Sequence, residues 1–245
     1  MSTATKPVAP TTPPPALRPA ISPVIDLLPH LRPGWAMTLP GVTWAEYDRL
    51  LDARDQARAW AVKLTYDRGR LDIVTKSNTH ELWKTVVGLL VTVWAEEAAV
   101  PVIGCGETTV RREDLDRGFE PDQWFYVGPT IARVLPLGRE LDFATDPPPD
   151  LAVVIEVSRK LGDRIDLYAA VGVPEVWAYD GHQLVVYTLG PNRVYTPATT
   201  SRALGGLPAA DLARYLGLAG TVDQVSIVRQ FRAWVRQTRV PPGRA

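Results

Sequence analysis

Apart from Glu156, residues Leu151 to Val157 form an apolar, mostly β-branched run, which predicts a strand covered on both faces in the middle of an α/β sheet. A turn or helix start at Ser158-Arg159-Lys160 leads into a helical pattern ending near Val171. Gly172-Val173-Pro174 then opens a second strand, Glu175 to Tyr179. In a strand, crossover helix and strand unit the functional end is the carboxyl end of the first strand. Glu156 lies there. A carboxylate closing an apolar strand needs a partner or a cation, because buried charge is costly. A second apolar run, Glu120 to Val127, carries Asp122 near its start.

The rest of the chain arranges itself around this unit. Residues 1–20 are Pro, Thr and Ala with little aliphatic content and are expected to form a disordered tail. Residues 21–41 mix apolar residues with prolines, which suggests an irregular strap over a domain spanning 42–240. Thr43 and Glu46 have capping-box spacing at the start of a helix fading by Ala57. Ala61 to Tyr66 and Arg70 to Thr75 read as a hairpin about Asp67-Arg68-Gly69. A long helix opens at Asn78, with Leu82, Val86, Leu89, Leu90, Val93 and Trp94 in helical period. Pro101 to Arg111 reads as one strand broken by a glycine-flanked irregularity. Arg112 to Gly118 is a charged loop, and Gly128 to Pro148 a long connection. A hairpin at the sheet edge (Gln183 to Leu189, Arg193 to Thr196) and two helices (Ala209 to Leu216, Asp223 to Thr238) complete the pattern, which predicts a mixed α/β fold.

Composition narrows the function classes. Lys and Arg total 27 against 27 Asp and Glu, so a nucleic-acid partner has to be held by local patches and not by a bulk field. One cysteine, Cys105, forms no internal disulfide, and three scattered histidines lack zinc-type spacing. No apolar stretch is long enough for a membrane span, and the N-terminus has no signal-peptide layout, so a cytoplasmic location is expected. The chain has no glycine-rich phosphate loop and no Ser-His-Asp order, which leaves small-molecule enzymes without support.

Two carboxylates on neighbouring strands, Asp122 and Glu156, suit a hard divalent cation such as Mg²⁺ or Mn²⁺. Lys160 and Arg164, one turn apart after Glu156, could face that site or form a surface pair. Glu81 is either the N3 residue of a capping box on Asn78 or a third acid of the metal site. Arg111, Arg112 and Arg164 flank the acidic strands and are candidates for phosphate contact. Arg229, Arg232, Arg236 and Arg239 share a helix face that is either solvated or phosphate-facing.

The succession Gly69-Arg70-Leu71-Asp72, Ser77 to Glu81, Glu120-Pro121-Asp122-Gln123, Pro149-Asp150-Leu151, Glu156 and Tyr168 to Trp177 resembles the Uma-type restriction endonuclease family of the PD-(D/E)XK nuclease superfamily. The resemblance covers roughly residues 42–236. It implies a restriction-endonuclease-like core, with Asp122 and Glu156 as the acids and Mg²⁺-dependent attack of water on a phosphodiester of DNA. The superfamily's lysine two residues after the second acid is Ser158 here. The resemblance shifts the basic role to the following helix, with Lys160 preferred over Arg164. Asp72 stands where many relatives show Glu. The expectation is a metal-dependent endonuclease acting on DNA; the alternative is a degenerate nuclease fold that binds nucleic acid or protein. Homodimerisation is left open.

Overall fold

The computed structural model describes residues 22–135, 141–156 and 161–239. The N-terminal half builds α1 (Ser22–Leu27), β1 (Ala36–Pro40), α2 (Trp44–Gln56), β2 (Val62–Asp67), β3 (Arg70–Thr75) and the long helix α3 (Asn78–Ala98). Short elements follow: β4 (Val102–Gly104), β5 (Val110–Arg112), β6 (Arg117–Phe119), β7 (Gln123–Val127) and α4 (Ile131–Val134). The C-terminal half contains β8 (Leu151–Ile155), α5 (Ile165–Val171), β9 (Glu175–Tyr179), β10 (Leu184–Leu189), β11 (Tyr195–Ala198), β12 (Thr200–Ser201), β13 (Leu207–Pro208), α6 (Ala209–Leu216) and α7 (Gln224–Arg239).

A six-stranded mixed sheet in the order β11-β10-β9-β8-β7-β4 is the centre of the fold, with β8 and β9 parallel and the remaining pairs antiparallel. All five residues of β8 and all five of β9 are buried, as expected of strands with helices on both faces. Leu151, Val153 and Ile155 pack with α3, α6 and α7. Ala152 and Val154 alternate to the other face and pack with Leu167, Tyr168 and Val171 of α5. Helix α5 ends at Gly172, which takes a φ of 86°. Two of its last carbonyls, at Ala169 and Ala170, accept from the Arg193 guanidinium, each at 3.0 Å.

A second sheet, β1-β3-β2-β6-β5, is wholly antiparallel and packs its apolar face against α1 and α2. Helix α2 starts with the expected capping box: the Thr43 hydroxyl accepts from Glu46 N at 3.3 Å, and the Glu46 carboxylate accepts from Thr43 N at 2.8 Å.

Three expectations need correction. Residues 22–41 form α1 and the edge strand β1 rather than an irregular strap, because β1 completes its backbone bonding by pairing with β3. The stretch read as one interrupted strand is two strands in different sheets: β4 pairs with β7, and β5 pairs with β6. The chain therefore crosses between the sheets at residues 105–109 and crosses back at residues 120–122. Third, α3 is capped by Ser77, whose hydroxyl accepts from His80 N at 3.3 Å, so Glu81 sits one position past N3 and completes no capping box. The proposed disordered tail lies outside the described residues.

Candidate active site

Asp122 stands on the second crossover, where the chain returns to the central sheet just before β7, and it is 2% exposed. Its N–H donates to Val153 O at 3.0 Å. Its Oδ2 accepts from the backbone N–H of Ile155 at 2.6 Å. On the other side Oδ1 accepts from His80 Nε2 at 2.8 Å and from the ammonium of Lys63, which arrives from β2 of the other sheet. Burial alone would raise the Asp122 carboxyl. The Lys63 ammonium, the His80 donor and the Ile155 N–H outweigh it and hold the acid ionised, well below the usual carboxylate range.

A cavity of about 60 Å³ opens beside Asp122. Both sheets line it through Lys63, Thr65, Val154 and Ile155, the start of α3 adds Ser77 and His80, and Arg164 and Tyr168 close the α5 side. Glu120 also faces it but is neutralised by Arg54 at 2.5 Å, both side chains being 8% exposed. Arg164 Nε is buried without a hydrogen-bond partner among the described residues.

Glu156 follows β8 directly and extends its ladder by donating from N to Tyr179 O at 2.7 Å. Trp124 and Val154 point to the α5 side. Asp122 lines the cavity, whereas Glu156, one residue beyond the lining residue Ile155, is not among its lining residues. The paired register of β7 and β8 runs from Gln123–Val153 to Phe125–Leu151, so Asp122, just before β7, and Glu156, just after β8, both lie beyond its Gln123–Val153 end. The Glu156 carboxylate accepts from Leu161 N.

The remaining sequence candidates divide. Glu81 Oε1 lies 3.1 Å from His80 Nδ1, so it stands behind the histidine and not on Asp122. Arg111 pairs with Asp48, and Arg112 forks onto Asp114 at 2.7 and 2.6 Å, so neither lines the cavity. Arg232 and Arg236 of α7 are engaged by Glu96 and Glu97 of α3. Asp72 accepts from the Thr38 hydroxyl at 2.7 Å, and Asp150 holds Val127 N at 2.7 Å as a strand-opening residue. Lys160 and Ser158 lie outside the described residues.

The sequence reading missed Lys63, His80 as a partner of Asp122, and Glu107. Glu107, on the first crossover, is met by Lys76, by Lys84 at 3.0 Å and by Lys63 at 4.0 Å. Only Lys63 carried a local signal, as a charge between Val62 and Leu64 in a strand.

The family described as "Putative restriction endonuclease" (Uma2) matches residues 44–223, most of the chain and both crossovers. The chain belongs to the Uma2 family. Membership supports a nuclease function for it. A solved crystal structure described as "a putative nuclease belonging to DUF820", from Anabaena variabilis, is similar at 14% identity with a TM-score of 0.38, covering 70% of this chain and 90% of that one. No curated protein matches. No helix among the described residues is long and apolar enough to cross a membrane.

The donors can be tested against a divalent cation. Among the described residues no three His, Cys, Asp or Glu side chains converge into a closed cage. Mg²⁺ does not need one, since it keeps several waters and is held by one or two carboxylates with substrate phosphate oxygens. Asp122, in the cavity, and Glu156, directly after the lining residue Ile155, are carboxylates of the type that requirement calls for. Lys63 is the countercharge a cation would have to displace from Asp122.

Proposed function

We propose that this chain is a divalent-cation-dependent endonuclease that hydrolyses phosphodiester bonds of DNA at the Asp122 cavity. The observation that carries the reading is the buried, ionised Asp122 beside a cavity that both sheets line, with Glu156 directly following the lining residue Ile155. Asp122 and Glu156 would hold Mg²⁺ or Mn²⁺, which supplies polarisation of the phosphodiester and a bound water of lowered pKa. His80 fixes the Asp122 carboxylate through Nε2, and Glu81 steadies the imidazole from behind. Arg164, which lines the cavity, would place a guanidinium against the phosphate and stabilise its charge. Lys63, freed from Asp122, would be an amine available to orient the attacking water, and Lys160 is the amine that the family resemblance assigns to that role.

A binding module that has lost cleavage is the second reading, favoured by the Lys63 ammonium standing against Asp122. Nicking of supercoiled plasmid with Mg²⁺, against chelator, separates the two. Nicking that Asp122→Asn and Glu156→Gln each abolish supports the endonuclease; no nicking under any divalent ion leaves the module. Lys63→Gln compared with Lys160→Gln shows which amine cleavage requires.

A further inference from the structure

The charge around Glu107 exceeds what Asp122 chemistry needs. Three ammonium groups from separate segments, Lys63 of β2, Lys76 after β3 and Lys84 of α3, approach its single carboxylate. Their side chains are 14, 11 and 17% exposed, so they are sheltered yet still reach solvent. Glu81 supplies a second carboxylate to Lys84 at 3.4 Å. Once a cation takes Asp122 and releases Lys63, the carboxylates that the three lysines meet among the described residues are Glu107 and Glu81, with Arg164 a further cation on the cavity wall. A sheltered surplus of that kind suits an anion with several acceptor oxygens.

Next to it stands an exposed aromatic that the core does not use. Trp60, just before β2, is 60% exposed, and its carbonyl accepts from Lys76 Nζ at 3.1 Å. The same Lys76 lines the Asp122 cavity. Lys76 thus joins the cavity to the segment that carries an exposed indole, and cationic groups near an exposed aromatic are what bind unpaired nucleotides, with the phosphate on the ammonium groups and the base stacked on the ring.

We propose that Lys76, Lys84 and Trp60 form a subsite for one unpaired nucleotide of a nucleic-acid strand whose neighbouring phosphodiester lies in the Asp122 cavity. The inference rests on the nuclease reading and deepens it: the substrate is single-stranded, or locally opened, where it crosses β2. The lysines supply the salt-dependent affinity, and Trp60 discriminates strand from duplex.

The test titrates the full chain, with Ca²⁺ in place of Mg²⁺, against labelled oligothymidylate and a blunt duplex, reading anisotropy and tryptophan emission. Oligothymidylate should quench emission in the parent and not in Trp60→Leu. That variant should weaken strand binding roughly five- to a hundred-fold and leave duplex binding unchanged. Lys76→Gln and Lys84→Gln should each lower the log–log salt slope by about 0.7 for the single strand, with Lys76→Arg restoring it. Trp60 is exposed, so its loss should not unfold the protein, and melting curves check the lysine variants. Equal strand binding by Trp60→Leu and parent overturns the subsite, as does quenching by thymidine monophosphate as strong as by the strand, which would make it a nucleotide pocket. Plasmid nicking on the same preparations separates the failures. Nicking with unchanged Trp60→Leu binding sinks the subsite alone. Tight Trp60-dependent binding without nicking sinks the nuclease reading alone, and no binding of any strand sinks both.

Discussion

Replacing Lys63 with Met should destabilise the protein in chelator and make its stability depend on divalent cations. Asp122 is 2% exposed, and the Lys63 side chain that balances it is 14% exposed. Removing one partner of a buried ion pair costs about 3–5 kcal/mol, because the other charge is left uncompensated. His80 Nε2 and Ile155 N still donate to Asp122, which places the expected loss near the lower end, about 3 kcal/mol. For a domain of this size that corresponds to a fall in Tm of roughly 6–12 °C. A cation seated on Asp122 and Glu156 restores the missing charge, and a ligand at a hundred times its Kd contributes about 2.7 kcal/mol, nearly the whole loss. The parent must surrender the Lys63 contact to bind the same ion, so its Tm should move much less. Thermal melts followed by circular dichroism, in chelator and at saturating Ca²⁺, read both quantities. In the double variant Lys63→Met/Asp122→Asn, no charge remains to balance, and its loss should fall well short of the sum of the single losses. The reasoning fails if Lys63→Met melts with the parent in chelator, or if Ca²⁺ leaves the destabilised variant where it was.

Gly118→Ala should destabilise by about 1–3 kcal/mol or more, because a Cβ there would sit 2.3 Å from the buried Tyr47 ring; a parental melting curve would contradict the packing described. Glu175 is 1% exposed and accepts from Trp177 Nε1, Ser201 Oγ, Arg202 N and Ala203 N. At about 1–3 kcal/mol for each orphaned donor, Glu175→Ala should lose at least about 4 kcal/mol, and a denaturant midpoint close to the parent's would refute it. Burial pushes the Glu107 carboxyl up, but Lys63, Lys76 and Lys84 outweigh it, and the folded protein holds it below its ordinary value of 4.5. A group depressed in this way adds stability above its unfolded pKa and loses it as pH falls through the folded one. Below about pH 4.5 the parent's Tm should therefore drop more steeply than that of Glu107→Gln, and parallel curves would show that the lysines do not stabilise the acid.

The central sheet was legible because burial on both faces writes itself locally: Leu151 to Ile155 is apolar at every position, and Glu175 to Tyr179 is enclosed with its one carboxylate satisfied by donors from around Ser201. The Thr43 and Glu46 cap was legible for the same reason, since both partners lie within one turn. Ser77 and Asn78 are adjacent and equally able to cap; Ser77 is the cap, which makes His80 the N3 residue, and the contact of His80 with Asp122 joins segments far apart in the chain. The two crossovers were not legible. Val102–Gly104 and Val110–Arg112 are short, and which sheet each joins is set by partners far along the chain. Lys63, Lys76, Lys84 and Glu107 meet only because those crossovers bring the sheets together, so no spacing rule relates them.

The central claim is that Asp122 and Glu156 hold one divalent cation, and the most direct measurement is the anomalous signal from a crystal of the protein soaked in Mn²⁺. A peak should appear in the cavity beside Asp122, within about 2.0–2.6 Å of a carboxylate oxygen from each residue, with the Lys63 ammonium withdrawn from Asp122. A map in which Lys63 stays on Asp122 with no peak beside it, or in which Mn²⁺ binds elsewhere and leaves Glu156 on Leu161 N, would contradict the claim.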